Sequence, residues 1–116
     1  MLTSTFDSSI SSYLNATMSN YKPQDIYAAK SGTTASDSYV ISFNPSYTIG
    51  IWCGTDDNTS FYNYSLSKQL YKEITIILEE TTKTTWYSTN HLTTALRYNP
   101  NTHSFDSSGK LYYFKK

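Results

Sequence analysis

Ala28-Ala29-Lys30-Ser31-Gly32-Thr33-Thr34 joins two small apolar residues to a lysine and then to a glycine flanked by hydroxyls. The stretch from Ile26 to Thr34 reads as a β-strand. A strand of this composition has a plain chemical use. Its backbone N–H and C=O groups can take an extended peptide as a further strand. Lys30 supplies positive charge, the neighbouring hydroxyls suit a carboxylate, and Gly32 lets a ligand approach the backbone. Taken alone, Lys-Ser-Gly-Thr is also an ordinary polar strand end in a chain carrying 35 Ser and Thr among 116 residues.

Working outward, Ser38 to Asn44 alternates, with Tyr39, Ile41 and Phe43 on one face and Val40 and Ser42 on the other. Asn44-Pro45-Ser46 marks a turn. Tyr47 to Gly54 is apolar on both faces, as expected of a strand covered on both sides. The short links predict a three-stranded antiparallel meander. Upstream, Leu2, Phe6, Ile10, Tyr13, Leu14 and Met18 form a stripe that predicts an amphipathic N-terminal helix. Thr3 or Ser4 would cap it, and Asn20 and Pro23 would stop it. Downstream, Leu66, Leu70, Ile74, Ile77 and Leu78 follow a helical period and should pack on the sheet. Thr81 to Thr85 reads as a linker. Leu92, Leu96 and Tyr98, turns at 99–101 and 107–109, and Leu111 to Phe114 predict a small β tail. The expected class is α+β, with residues 1–83 as the main unit and 84–116 as a β-rich appendage.

The length allows one modest domain. Nine basic and nine acidic residues give zero net charge, which weighs against a nucleic-acid binder. The lone Cys53, in the apolar run Ile49-Gly50-Ile51-Trp52-Cys53, excludes an intrachain disulfide and reads as a buried, inert thiol. His91 and His103 lack supporting ligands, and Asp56-Asp57-Asn58 lacks the calcium-loop pattern, so no metal and no cofactor are expected. No apolar run approaches the roughly 20 residues of a membrane helix. Nor is there a signal-peptide pattern, so any export or anchoring element is expected to lie outside this chain.

The order of segments carries more than any one of them. Ala28 to Thr34, then Asp37-Ser38-Tyr39-Val40, Asn44-Pro45, and Gly50-Ile51-Trp52-Cys53-Gly54 with Asp56-Asp57 follow one another within 30 residues. This series resembles the C-terminal part of the transpeptidase domain of bifunctional (class A) penicillin-binding proteins. There, a Lys-Thr-Gly-Thr-Thr strand precedes an Asp-x-Trp-Phe-type strand, a Tyr-x-Pro turn and a Gly-Val-Trp-Val-Gly strand. Ser31 stands where the family has Thr, Tyr39 for its Trp, and Phe43-Asn44-Pro45 for its turn. The resemblance covers residues 26 to 57 by motif, and 1 to about 80 if the flanking helices are included. It implies an incomplete β-lactamase/transpeptidase-like fold on the extracytoplasmic face of a bacterial membrane.

It also implies roles. Lys30 would sit near the substrate carboxylate and take part in proton transfer around the nucleophile. Ser31 and Thr33, with Thr34 beside them, would bind the carboxylate of a peptidoglycan stem peptide or of a β-lactam. Gly32 would leave room for the acyl group. The backbone N–H of Thr33 would be half of an oxyanion hole, a donor whose loss costs ~10²–10³ in rate.

The family's acyl transfer also needs Ser-x-x-Lys and Ser-x-Asn, both upstream of the Lys-Ser-Gly strand. Here Ser-x-x-Lys occurs at Ser19/Lys22, Ser65/Lys68 and Ser107/Lys110, and Ser-x-Asn at Ser42/Asn44 and Ser88/Asn90. Ser19 is only eleven residues before Lys30, and the other matches follow that strand, so all five read as coincidences. The chain is therefore expected to hold one wall of a site without its nucleophile, to be inactive alone, and to need a missing N-terminal half. The alternative is a non-catalytic module that binds stem peptide. In the resembled fold the strand equivalent to Tyr47–Gly54 pairs on its far side with an N-terminal strand, so the resemblance implies an unpaired apolar edge here, open to self-association.

Overall fold

Two tight turns build the sheet. β1 (Ala28–Thr33), β2 (Asp37–Phe43) and β3 (Thr48–Gly54) pair antiparallel in the order β1-β2-β3. The computed structural model describes residues 2–8, 16–88, 93–99 and 101–115. The first hairpin closes with Thr34 N–H donating to Asp37 O, and the second with Asn44 N–H donating to Tyr47 O, both at 2.9 Å. The Asn44 Oδ1 accepts from Ser46 N–H and Tyr47 N–H, the turn chemistry that makes Asn-Pro-Ser a reversal. Ala28 stands opposite Phe43 and Thr33 opposite Ser38, while Phe43 faces Thr48 and Asp37 faces Gly54.

The one α-helix among the described residues, α1 (Leu66–Thr81), covers the face that carries Val40 and Ser42. Its buried line differs from the expected stripe. Ser67, Tyr71 and Thr75 are buried, with Ile74 and Leu78 packed beside them, whereas Ile77 is 62% exposed. Hydrogen bonding explains the rotation. The sheet presents Ser38 and Ser42, and buried hydroxyls need partners. The Ser38 and Ser67 hydroxyls meet at 2.6 Å, and Ser42 donates to the Tyr71 hydroxyl at 3.1 Å. Phe6, Met18, Tyr27, Ala29, Val40, Ile49 and Tyr71 fill the space between sheet and helix.

The opposite face corrects the reading of β3 as covered on both sides. Trp52 is 50% exposed and Ile41 56% exposed, so among the described residues only the helix side is covered. Cys53 is half-buried with a free thiol.

The N-terminal stripe also folds differently. Leu2–Phe6 is a 3-10 helix, not the first turn of an α-helix, and a second 3-10 turn, Ser19–Tyr21, includes the expected stop Asn20. Ile10, Tyr13 and Leu14 lie outside the described residues. Thr3, Ser4 and Thr5 are poor helix formers because hydroxyls compete for backbone groups. The Thr5 hydroxyl contacts both Leu2 O and Ala29 O, which tightens the turn and fastens it to β1.

The tail forms its own antiparallel pair, β4 (Thr93–Tyr98) with β5 (Lys110–Lys115). Leu92 lies outside the described residues. An ion pair between Lys110 and Asp7, and a 3.4 Å contact between the Ser4 and Tyr112 hydroxyls, link this hairpin to the Leu2–Phe6 turn. Trp86 stacks on Phe43 at 6.4 Å. The architecture is α+β. Among the described residues, no helix is long and apolar enough to cross a membrane.

Candidate functional site at the free edge of β1

Strand alternation sorts the Lys-Ser-Gly-Thr residues into two directions. Lys30 and Gly32 lie on the face away from α1, opposite Ile41 and Tyr39 respectively. Ser31 points to the core side, where it is buried and its hydroxyl meets that of Thr17 at 2.7 Å. The structure thus separates the Ser31 hydroxyl from the Lys30 ammonium, which donates to Ser31 O. Nothing about Thr17 in the sequence marked it as the partner of Ser31.

The backbone alternates as well. Hydrogen bonds from β1 to β2 fall on every second residue of an antiparallel ladder. The closing bond from Thr34 N–H to Asp37 O sets the phase, so Lys30 and Gly32 bond to β2 while Ala29, Ser31 and Thr33 direct their N–H and C=O outward. β1 is the first strand in the sheet order, so among the described residues no strand pairs with this outward side. The Leu2–Phe6 turn covers its start through Thr5 and Ala29 O. Thr33 is exposed, and among the described residues its hydroxyl has no hydrogen-bond partner.

Thr34 serves the turn. Its hydroxyl donates to Asp37 Oδ2 at 2.8 Å and accepts from the Ser36 and Asp37 N–H groups. Asp37 also accepts from the Ser36 hydroxyl at 2.9 Å and from the Trp52 indole N–H at 2.9 Å. These donors, Thr34 foremost, hold its carboxyl below the usual carboxylate range. The Thr34-x-x-Asp37 spacing was the available sign of this cluster. A glycine is required next to it, since a Cβ at Gly54 would come within 2.8 Å of Asp37 Oδ1 and 2.9 Å of Ser36 O. Gly32 is roomier, with the nearest side-chain atom of Tyr39 at 3.8 Å from a Cβ built there.

No family model matches the chain. Over 63 residues, the chain is 40% identical to penicillin-binding protein 2D of Bacillus subtilis (strain 168). The match takes in 52% of this chain and 9% of that protein, so the chain spans a small part of the relative's length. The likeness supports a penicillin-binding-protein-related fragment.

The Ser-x-x-Lys matches sit away from this edge. Ser65 stands just before α1 without a side-chain cap bond, behind the sheet as seen from Lys30, and Lys68 lies 5.7 Å from the Tyr21 ring centre. Lys110 pairs with Asp7 in the tail, and Ser19 opens a 3-10 turn. Of the Ser-x-Asn matches, Ser42 is bonded to Tyr71 inside the core and Asn44 closes a turn. Asn90 lies outside the described residues. Two clefts of about 310 and 290 Å³ lie at the other end of β1, around Tyr27 and around Ala28 and Trp86. Among the described residues no group of His, Cys, Asp and Glu is placed to hold a metal ion.

Proposed function

We propose that this chain is part of a class A penicillin-binding D,D-transpeptidase and contributes the substrate-binding strand of its peptidoglycan cross-linking site, outside the cytoplasmic membrane. One observation carries the reading beyond the sequence likeness. The ladder phase sends the Thr33 N–H to the free edge of β1, while Lys30 and Gly32 face the uncovered side of the sheet. An extended stem peptide, or the β-lactam that mimics it, would lie along that edge as an added strand. Its scissile carbonyl oxygen would meet the Thr33 N–H as negative charge develops. Lys30 would draw the terminal carboxylate from the open face, with Ser31 and Thr34 shaping the strand through Thr17 and the hairpin turn. The nucleophilic serine, its lysine and the Ser-x-Asn would come from a polypeptide segment N-terminal to this one. Acyl transfer then needs both parts.

The test has two stages. In an NMR titration with a stem-peptide analogue ending in D-Ala-D-Ala, the Thr33 amide should shift, and Lys30→Ala should weaken that shift several-fold. Fluorescent penicillin should not label the chain alone. It should label a covalent adduct once a segment carrying Ser-x-x-Lys and Ser-x-Asn is co-produced. Labelling of the chain alone would overturn the assignment of the missing nucleophile, and absence of the Thr33 shift would overturn the binding edge. Binding that persists without labelling after complementation would leave the non-catalytic stem-peptide module as the function.

A further inference from the structure

Charge is scarce on the sheet, and it lies where a peptide along β1 would meet it. The three strands carry two charged residues, Lys30 and Asp37, and strand alternation puts both on the face away from α1. The Lys30 ammonium donates to Ser31 O, one of the outward-directed carbonyls, so it sits at the edge itself. Asp37 stands at the hairpin end, beside Thr34. Its carboxylate accepts from the Thr34 and Ser36 hydroxyls and the Trp52 indole, all neutral donors. Among the described residues no cation pairs with it. Three donors thus fix the carboxylate in place and leave its charge unneutralised.

Resting on the reading of β1 as the substrate-binding strand, we propose that Asp37 is a specificity-determining residue of that site, selecting peptides whose residue just before the reacting one carries a cationic side chain. The register follows from the ladder. In an antiparallel pair the residue opposite Thr33 exchanges both backbone bonds with it, so its carbonyl is the one that meets the Thr33 N–H. The last residue then stands opposite Gly32, and its carboxylate reaches toward Ser31, where the Lys30 ammonium lies. The preceding residue stands opposite Thr34. Directly opposed residues share a face, so an L side chain there lies on the open face with Thr34 and Asp37. It is two strand spacings from β2, about 10 Å. The four-carbon stem of a lysine and the Asp37 side chain span that distance together. The two charges also set direction. A peptide lying parallel to β1 would bring its terminal carboxylate toward Asp37 and its cation toward Lys30.

Two peptides separate the charge from the rest of the ligand: Nα-acetyl-L-Lys-D-Ala-D-Ala and its norleucine counterpart, which lacks the ammonium. Titrated against the whole chain and followed at the Thr33 amide by NMR, the lysine peptide should bind about two- to five-fold tighter, the range of an exposed ion pair. Added salt should erase the difference. The Trp52 indole N–H, bonded to Asp37, should shift with the lysine peptide and not with the norleucine one. Asp37→Asn keeps the size of the side chain and should make the two peptides bind alike, whereas a purely structural role would weaken both and preserve their ratio. A preserved ratio overturns the proposal, as does equal binding of the two peptides by the parent chain. With the Thr33 shift intact, both results leave β1 as the binding edge. No Thr33 shift with either peptide instead overturns that edge, and the role of Asp37 with it. If Asp37→Asn fails to fold, the salt dependence and the Trp52 resonance decide.

Discussion

The two faces of the three-stranded sheet reverse the usual assignment of residue types. Toward α1 the sheet buries Ser38 and Ser42 along with Val40, and the helix answers with Ser67, Tyr71 and Thr75. On the other side Tyr39, Ile41 and Trp52 stand in the open around Lys30 and Gly32. The buried face is held by matched hydroxyls as well as by apolar area, whereas the open face has large apolar groups and little to cover them. Polarity alone therefore misidentifies the core, because a buried hydroxyl with a partner costs little and one without a partner costs much.

The largest expected contrast is between two tyrosines. Tyr71 is fully buried, packs edge-on to Tyr27 at 6.2 Å and stacks on Phe6 at 6.2 Å. Tyr71→Ala should destabilise the fold by about 3–5 kcal/mol. Tyr39→Ala, on the open face, should stay within about 0.5 kcal/mol. Urea unfolding at constant m-value reads both, and equal losses would break the distinction between the faces. The same burial raises the Tyr27 phenol to about 12, with Glu79 and Asp25 adding to the effect.

A smaller contrast isolates the hydroxyls. Ser42→Ala leaves the Tyr71 hydroxyl without its donor and should cost about 1–3 kcal/mol. Ile41→Ser, one residue away but pointing outward, should change stability by no more than about 0.5 kcal/mol despite the greater loss of apolar surface. A larger loss for Ile41→Ser, in the same urea experiment, would mean that the open face is covered in solution.

This arrangement also explains what could be read in advance. The hairpins were legible because Asn44-Pro45-Ser46 and the short link after Thr34 dictate reversals locally, and the register follows from them. The helix was legible as an element but not in its orientation. A periodic stripe from Leu66 to Leu78 scores apolar residues, while the contact surface was chosen by Ser38 and Ser42 across the interface. The N-terminal turn went astray for a related reason, since Thr5 bonds to Ala29 O, a partner 24 residues away. At the candidate site, the facing of Lys30 and Gly32 and the outward direction of the Thr33 N–H were readable because strand alternation is a local rule. The diversion of Ser31 to Thr17, and of Thr34 to Asp37, depended on contacts that no single segment contains.

The smallest effect lies where the open face meets the turn. Asp37 accepts from Thr34, Ser36 and Trp52, and its carboxyl titrates below the ordinary value in consequence. Unfolding would return it to about 3.9. Its contribution to stability is therefore complete above that pH and is lost as the pH falls through the lower, folded value. The group is exposed, so solvent screens the gain and the acid limb should be shallow. Asp37→Asn should flatten that limb in part, since Asp57 and Asp106 are held low in the same way by their own hydroxyl and backbone donors. The Trp52 indole gives a local readout. In a Trp86→Phe background its fluorescence should change over the same acid range in the parent and stay level in the Asp37→Asn variant. Identical acid profiles in the two would show that the Asp37 carboxylate does not hold the indole, and that the hairpin turn and β3 titrate independently.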